Sequence, residues 1–140
     1  MTRKRGAYVR HFAVLPGRAR NTVQLQTGHW MALQLLGTPN FKQHHLCELA
    51  TPAHMVRAMP GTPPNVLRHA DALIRVLNVV ITRAEQIGRI EVATYEQAAI
   101  CASAPPVFNA LAAASNLDIA RAALAVKALQ ARYIREGQTT

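Results

Sequence analysis

Residues 65–88 hold the longest helical pattern in the chain, and it constrains the fold more than any other feature. Arg68, Asp71, Arg75, Asn78 and Thr82 recur at steps of three and four on one narrow stripe. Leu67, Ala70, Leu73, Ile74, Leu77, Val80, Ile81, Ala84 and Ile87 cover nearly everything else. A repeat of 3.6 residues sorts side chains this way, and a strand cannot. Asn65 can cap this helix and Gly88 ends it. So wide an apolar face predicts a central helix, touched by neighbours on several sides. Asp71 stands within helix reach of Arg68 and Arg75.

The remaining segments read as helices too. From Gly28 on, Trp30, Leu33 and Leu36 share a helical face; Gly37 then takes the C-cap place, with Pro39 beyond it. Thr22–Gln26 alternates and fits extended chain as well. Asn40 is a good N-cap for a second helix over 40–59, and Phe41, His45, Leu46, Leu49 and Ala50 follow it at helical spacing. Pro52 predicts a kink or break there, because proline removes a backbone bond and clashes with the preceding turn. Pro60-Gly61-Thr62-Pro63-Pro64 is a loop. Thr94-Tyr95-Glu96-Gln97 reads as a capping box, Thr at N-cap and Gln three residues on, opening a helix over about 95–103. Ala104-Pro105-Pro106 ends it, and Pro106 can start a short helix over 106–114. Ser115-Asn116-Leu117-Asp118 is a second capping signature, opening an Ala-rich helix to about Arg135. Val92-Ala93 is the other place for a strand and is too short to matter. The expected fold is all-α, a single-domain bundle of five or six helices with a basic N-terminal arm: arm over 1–21, helical domain over 22–140.

Charge is the strongest global fact. The 140 residues contain sixteen Lys and Arg against seven Asp and Glu, a net charge of +9. No acid precedes Glu48, so residues 1–47 carry +7 and residues 48–140 carry +2. Such a field favours an anionic partner: nucleic acid, an acidic protein surface or an anionic membrane surface. The arm interleaves Arg3, Lys4, Arg5, Arg10, Arg18 and Arg20 with Tyr8 and Phe12. Cations of this kind track phosphates, and a ring such as Tyr8 can stack on a base. The blander alternative is a solvated tail. Arg83, Arg89, Arg121, Arg132 and Arg135 can extend the basic surface if packing brings them out.

Other chemistries find little footing. His44, His45, Cys47 and Glu48 cluster on one turn, but nothing supplies further ligands at a zinc spacing, so no metal or other cofactor is expected. The bland reading buries Cys47 and leaves the histidines at the surface. The seven carboxylates are scattered and read as solvated or paired surface groups. No phosphate loop, H-E-x-x-H or G-x-S-x-G occurs, and an enzyme is not expected. A helix-turn-helix is also missing, since the segment after Pro106 carries no Lys or Arg. Cys47 and Cys101 read as reduced core thiols, although a disulfide remains open. Trp30, Met31, Met55 and Met59 read as core rather than as a partner groove. No apolar run reaches membrane length, and no secretory signal follows the basic opening, so a cytoplasmic protein without membrane contact is expected.

The layout resembles a group of small basic helical proteins encoded in proteobacterial prophages. The residues behind the resemblance are the Thr2-Arg3-Lys4-Arg5 opening, the Gly28-His29-Trp30-Met31-Ala32-Leu33 helix, the Leu46–Met59 and Leu67–Ile87 helices and the Ala131-Arg132-Tyr133-Ile134-Arg135 close. It covers most of the chain as a pattern, without a catalytic motif. That family is functionally uncharacterised, so the resemblance implies only a mobile-element setting in a bacterial cytoplasm. Two functions follow as expectations. One is a non-enzymatic accessory protein that binds nucleic acid or a nucleoprotein complex through the arm. The other is an anti-CRISPR-like inhibitor of host defence, docking on an acidic protein face. A homodimer is also possible, through the apolar helix surfaces and the Ala-rich last helix.

Overall fold

The computed structural model describes residues 21–139, with side chains from Thr27 to Arg132. The expected arm, including its site residues, lies outside the described residues apart from Asn21. The described residues form five helices and no strand: α1 (Asn21–Leu35), α2 (Gln43–Ala58), α3 (Pro64–Ile87), α4 (Thr94–Ala113) and α5 (Asn116–Thr139). The all-α expectation is met, and the alternating Thr22–Gln26 segment is helical.

The centre of the bundle is α2. Each of the other helices packs on it, whereas α3 packs mainly on α2 and α4. Leu46, Cys47, Leu49, Thr51, Pro52, Ala53, Met55 and Val56 are buried on successive positions around its barrel, as befits a helix wrapped by neighbours. The expectation that residues 65–88 form the central helix is therefore corrected. In α3 the buried side chains are Ala70, Leu73, Leu77 and Val80, while Val79 and Ile87 are 50% and 43% exposed. Its polar stripe faces solvent, and Asp71 pairs with Arg57 of α2 at 3.1 Å rather than along its own helix.

The chain breaks neither at Pro52, where a kink or break was expected, nor at Pro105-Pro106: α2 and α4 run on through them. An interior proline costs about 3 kcal/mol. Burying each large apolar side chain returns about 2 kcal/mol. Helix α2 buries Leu46, Leu49, Met55 and Val56, and α4 buries Ile100, Val107, Phe108 and Leu111, so packing outweighs the loss. In α4 the carbonyls robbed of a donor belong to Cys101 and Ala102, both exposed residues. This unbroken helix also removes any helix-turn-helix from residues 94–115.

The helix ends differ from expectation by one to three residues. Gly37 closes α1 at φ +81° and Gly88 closes α3 at φ +79°, both left-handed, as their sequence context predicts. Helix α2 starts after Lys42, not Asn40: the Lys42 N–H donates to His45 Nδ1 at 2.8 Å. Helix α3 starts at Pro64, a good first helical residue, ahead of Asn65. Helix α4 starts one residue earlier than its capping motif suggests. Ala93 is the cap, and Glu96 accepts its N–H at 2.8 Å, displacing Gln97 from that role. Ser115 caps α5 as expected, accepting the Asp118 N–H at 3.1 Å.

Helices α1 and α4 lie side by side in opposite directions. The Trp30 and His29 rings meet Phe108, with centroids 5.0 and 5.3 Å away, while Gly37 sits against Gln97 near the start of α4. Trp30 and Met59 are partly buried and Met55 is core, but Met31 is 53% exposed, so that core reading fails for Met31. Cys47 is buried, whereas Cys101 is exposed, and the two are not joined in a disulfide. The expectation of two core cysteines is corrected for Cys101: it lies on the outer side of α4.

Candidate functional site

The residues expected to bind an anion, Arg3, Lys4, Arg5, Tyr8, Arg10, Arg18 and Arg20, fall outside the described residues. What the fold does place is the rest of the cationic set. Arg68 and Arg75 are exposed on α3, and Arg121, Lys127 and Arg132 on α5. Lys42 is exposed before α2, its ammonium donating to the Pro39 carbonyl at 3.1 Å.

Two arginines expected to widen the basic surface are engaged by the protein's own carboxylates. Arg83 reaches across to Glu96 in a two-pronged ion pair, Nη1 to Oε1 at 2.8 Å and Nη2 to Oε2 at 2.6 Å. Its Nη1 also donates to the Glu91 carbonyl at 2.9 Å. Arg89 pairs with Glu91 at 2.7 Å. Both guanidinium groups are turned onto the protein's own carboxylates, because the 88–93 loop folds the start of α4 back beside the end of α3.

The Arg83–Glu96 pair is the best-organised polar feature among the described residues. Glu96 is only 1% exposed, so it is not the surface carboxylate the sequence implied. Its Oε1 accepts both Arg83 and the Ala93 N–H, and it sits in the positive field of the α4 N-terminus. Hydrogen bonding to Arg83 holds the Glu96 carboxyl below its ordinary range, against the opposing effect of burial. The same bond raises Arg83 above its ordinary value. Both groups therefore hold their charges at neutral pH and exchange no proton there. The pair is a clamp between α3 and α4, not an acid–base couple. A signal for it existed in the sequence: Glu96 shares a helical face with Ile100, Ser103, Val107 and Leu111, all buried.

The His44–Glu48 turn packs partly into the core. His45 is buried, contrary to the surface placement expected of it, and stacks on Phe41 at 5.5 Å with His44 tilted over it at 3.9 Å. Its Nδ1 accepts the backbone of Lys42, which fixes that nitrogen as unprotonated. Cys47 is buried on the opposite side of the turn. Among the described residues no group of three or more His, Cys, Asp or Glu stands ready to hold a metal ion. Nor is any helix there long and apolar enough to cross a membrane. His54, farther along α2, is held below its ordinary value of 6.5, first by burial and then by the Arg57 charge.

The described residues form an all-α bundle of five helices whose carboxylates serve partly to anchor its own arginines. Compared with protein families, curated proteins and solved structures, the chain matches none.

Proposed function

We propose that the protein binds nucleic acid, alone or within a nucleoprotein complex, through its basic N-terminal residues. It acts as a non-enzymatic accessory protein of a phage or related mobile element. Arg3, Lys4, Arg5, Arg10, Arg18 and Arg20 meet phosphates, and Tyr8 stacks on a base. The observation that carries this reading is how the charge divides. Residues 1–20 hold six bases and no acid, a charge of +6. Residues 21–140 hold ten bases and seven acids, +3, and three of those acids are already bound to Arg57, Arg83 and Arg89. The helical body thus spends much of its charge on itself, and the excess is concentrated at one end. Arginine predominates there, and its planar fork suits phosphate oxygens.

Fluorescence anisotropy with labelled duplex DNA and with single-stranded RNA tests the idea. Six phosphate contacts predict that duplex affinity falls with a log–log salt slope of about −5, close to a thousandfold between 50 and 200 mM salt. Reversing all six basic residues to Glu abolishes this binding while circular dichroism stays unchanged. No binding by the native chain at 50 mM salt would remove the proposal. A pull-down that retains a protein partner after nuclease treatment, with no binding to free nucleic acid, would move the site to an acidic protein face.

A further inference from the structure

Helix α5 is the least enclosed helix of the fold. Helices α1, α3 and α4 each pack on at least two others, whereas α5 packs chiefly on α2 alone. Of its described side chains, only Ala122, Ala123 and Val126 are buried. These lie on one face, and helical geometry puts Leu117, Arg121, Leu124, Ala128 and Ala131 on the opposite one. All five are exposed, Leu117 at 59% and Leu124 at 63%.

That outer line is a heptad seam. Leu117, Leu124 and Ala131 repeat every seven residues, with Arg121 and Ala128 between them at steps of four and three. Lys127 stands at its edge, and Asp118 is the single acid over residues 117–132. Among the described residues neither Arg121 nor Lys127 forms an ion pair, unlike Arg57, Arg83 and Arg89. The exposed leucines and the unneutralised cations therefore share one surface.

This combination selects the occupant. A second copy is repelled. Two α5 helices paired in opposite directions about Leu124 bring Arg121 of one across from Lys127 of the other, and a parallel pair sets Arg121 against itself. The chain's own residues 1–20, with six bases and no acid, meet the same repulsion. An anionic lipid surface would have to draw Arg121 in between the two leucines, below the headgroups. A nucleic acid could meet the cations but would leave Leu117 and Leu124 without an apolar partner. A protein helix with an apolar seam and acidic flanks satisfies both sets at once. Its apolar side chains cover the leucines, Ala128 and Ala131 let the two axes approach to about 8 Å, and its carboxylates meet Arg121 and Lys127. In paired helices the charges beside the seam set partner choice, and a charged residue within it fixes the register.

We infer that the outer face of α5 docks an acidic amphipathic helix of a partner protein. Leu117 and Leu124 enter the partner's seam, and Arg121 and Lys127 face its carboxylates. A contact of one helix face falls at the small end of specific interfaces, which points to a dissociation constant of about 10 µM. The inference does not rest on the nucleic-acid reading, which concerns residues 1–20.

Fluorescence anisotropy of the full, nuclease-treated chain with labelled synthetic helices tests this. The probe is a peptide of about three heptads with leucine along its seam and glutamate beside it, and the control has the same composition with the seam scrambled. The seam peptide should bind at about 10 µM and the scrambled one at least about tenfold more weakly. The double variant Leu117→Gln with Leu124→Gln, at exposed helical sites, should weaken seam binding about tenfold with circular dichroism unchanged. Arg121→Glu with Lys127→Glu should do the same. Reversing the six basic residues before Asn21 should abolish the nucleic-acid binding proposed above and leave seam binding within about twofold, so the two readings fail separately. Equal affinity for the two peptides overturns the inference, as does no binding of either at about 500 µM. So does full affinity in both double variants, or loss of binding on the N-terminal reversal, since the peptide would then be held merely as a polyanion. Duplex DNA or phosphatidylserine vesicles held by the N-terminally reversed chain, and released by the leucine variant, would assign the face to nucleic acid or lipid instead. A dimer in sedimentation equilibrium that the leucine variant dissolves would assign it to a second copy.

Discussion

Helices α2 and α3 make an instructive pair. The longer, α3, displays the cleaner sequence pattern, with one polar stripe and one apolar face. The shorter, α2, contains a proline, two adjacent histidines and a less regular pattern, yet every other helix packs on it. A sharp stripe of polar residues is the mark of a helix that still meets water. A helix that loses its stripe has neighbours on all sides. Pattern strength therefore measures how one-sided an environment is, not how deep the helix lies.

Matched truncations on the two helices test this most directly. Leu49→Ala, at a fully buried position of α2, should cost about 3–4 kcal/mol in urea unfolding. Ile87→Ala, at the half-exposed end of α3, should change stability by less than about 0.5 kcal/mol. Equal losses would show that α3 anchors the core as firmly as α2.

The clamp that joins α3 to α4 comes next. Glu96→Gln keeps the shape but removes the charge that Arg83 and the Ala93 N–H address. It should cost about 2 kcal/mol at neutral pH, at the modest end for a buried ionic bond because the Arg83 side is open to water. Since the folded state holds the Glu96 carboxyl below its usual 4.5, its contribution is complete above that pH and is lost as pH falls through the lowered value. The difference between Glu96→Gln and the native protein should shrink steadily below about pH 4. A difference that stays constant into acid would assign the loss to packing and not to charge.

Gly37→Ala sharpens the contact between α1 and α4. The backbone there is left-handed, and an added Cβ would meet Gln97 Oε1 at 2.6 Å. A loss of about 1–2 kcal/mol follows from the backbone alone, with the contact adding to it. Gly88→Ala has the same backbone strain with open space around it, so the difference between the two variants isolates the contact. The double variant Gly37→Ala with Gln97→Ala should match Gly88→Ala.

The smallest effect concerns His54 on α2. Its lowered value means that the unfolded chain takes up a proton near pH 6.5 before the folded chain does. The contribution is full above that pH and is lost as pH drops through the folded value. His54→Gln should flatten the stability profile just below pH 6.5 and leave it unchanged above pH 8. An unchanged slope would place the proton-linked loss elsewhere.

The element types and most boundaries were readable because glycines, prolines and capping residues act locally. Gly37, Gly88 and Ser115 do what their neighbours in sequence predict. The proline breaks were misread because their cost of about 3 kcal/mol is set against burial that depends on distant residues. Glu96 was misread for a related reason. A carboxylate on a core-facing stripe is explicable only once Arg83, thirteen residues away, arrives to meet it. Arg83, expected to widen the basic surface, is drawn onto Glu96 in the same way.

The sequence by itself determined that this chain is helical, that its charge is strongly positive and that the excess gathers at its N-terminal end. Each of these follows from composition or from interactions spanning a few residues. Only the tertiary structure decided which helix is innermost, which arginines are neutralised, and that α1 and α4, far apart in the chain, lie together. Those outcomes depend on contacts between distant parts of the chain, whose strength no local pattern encodes.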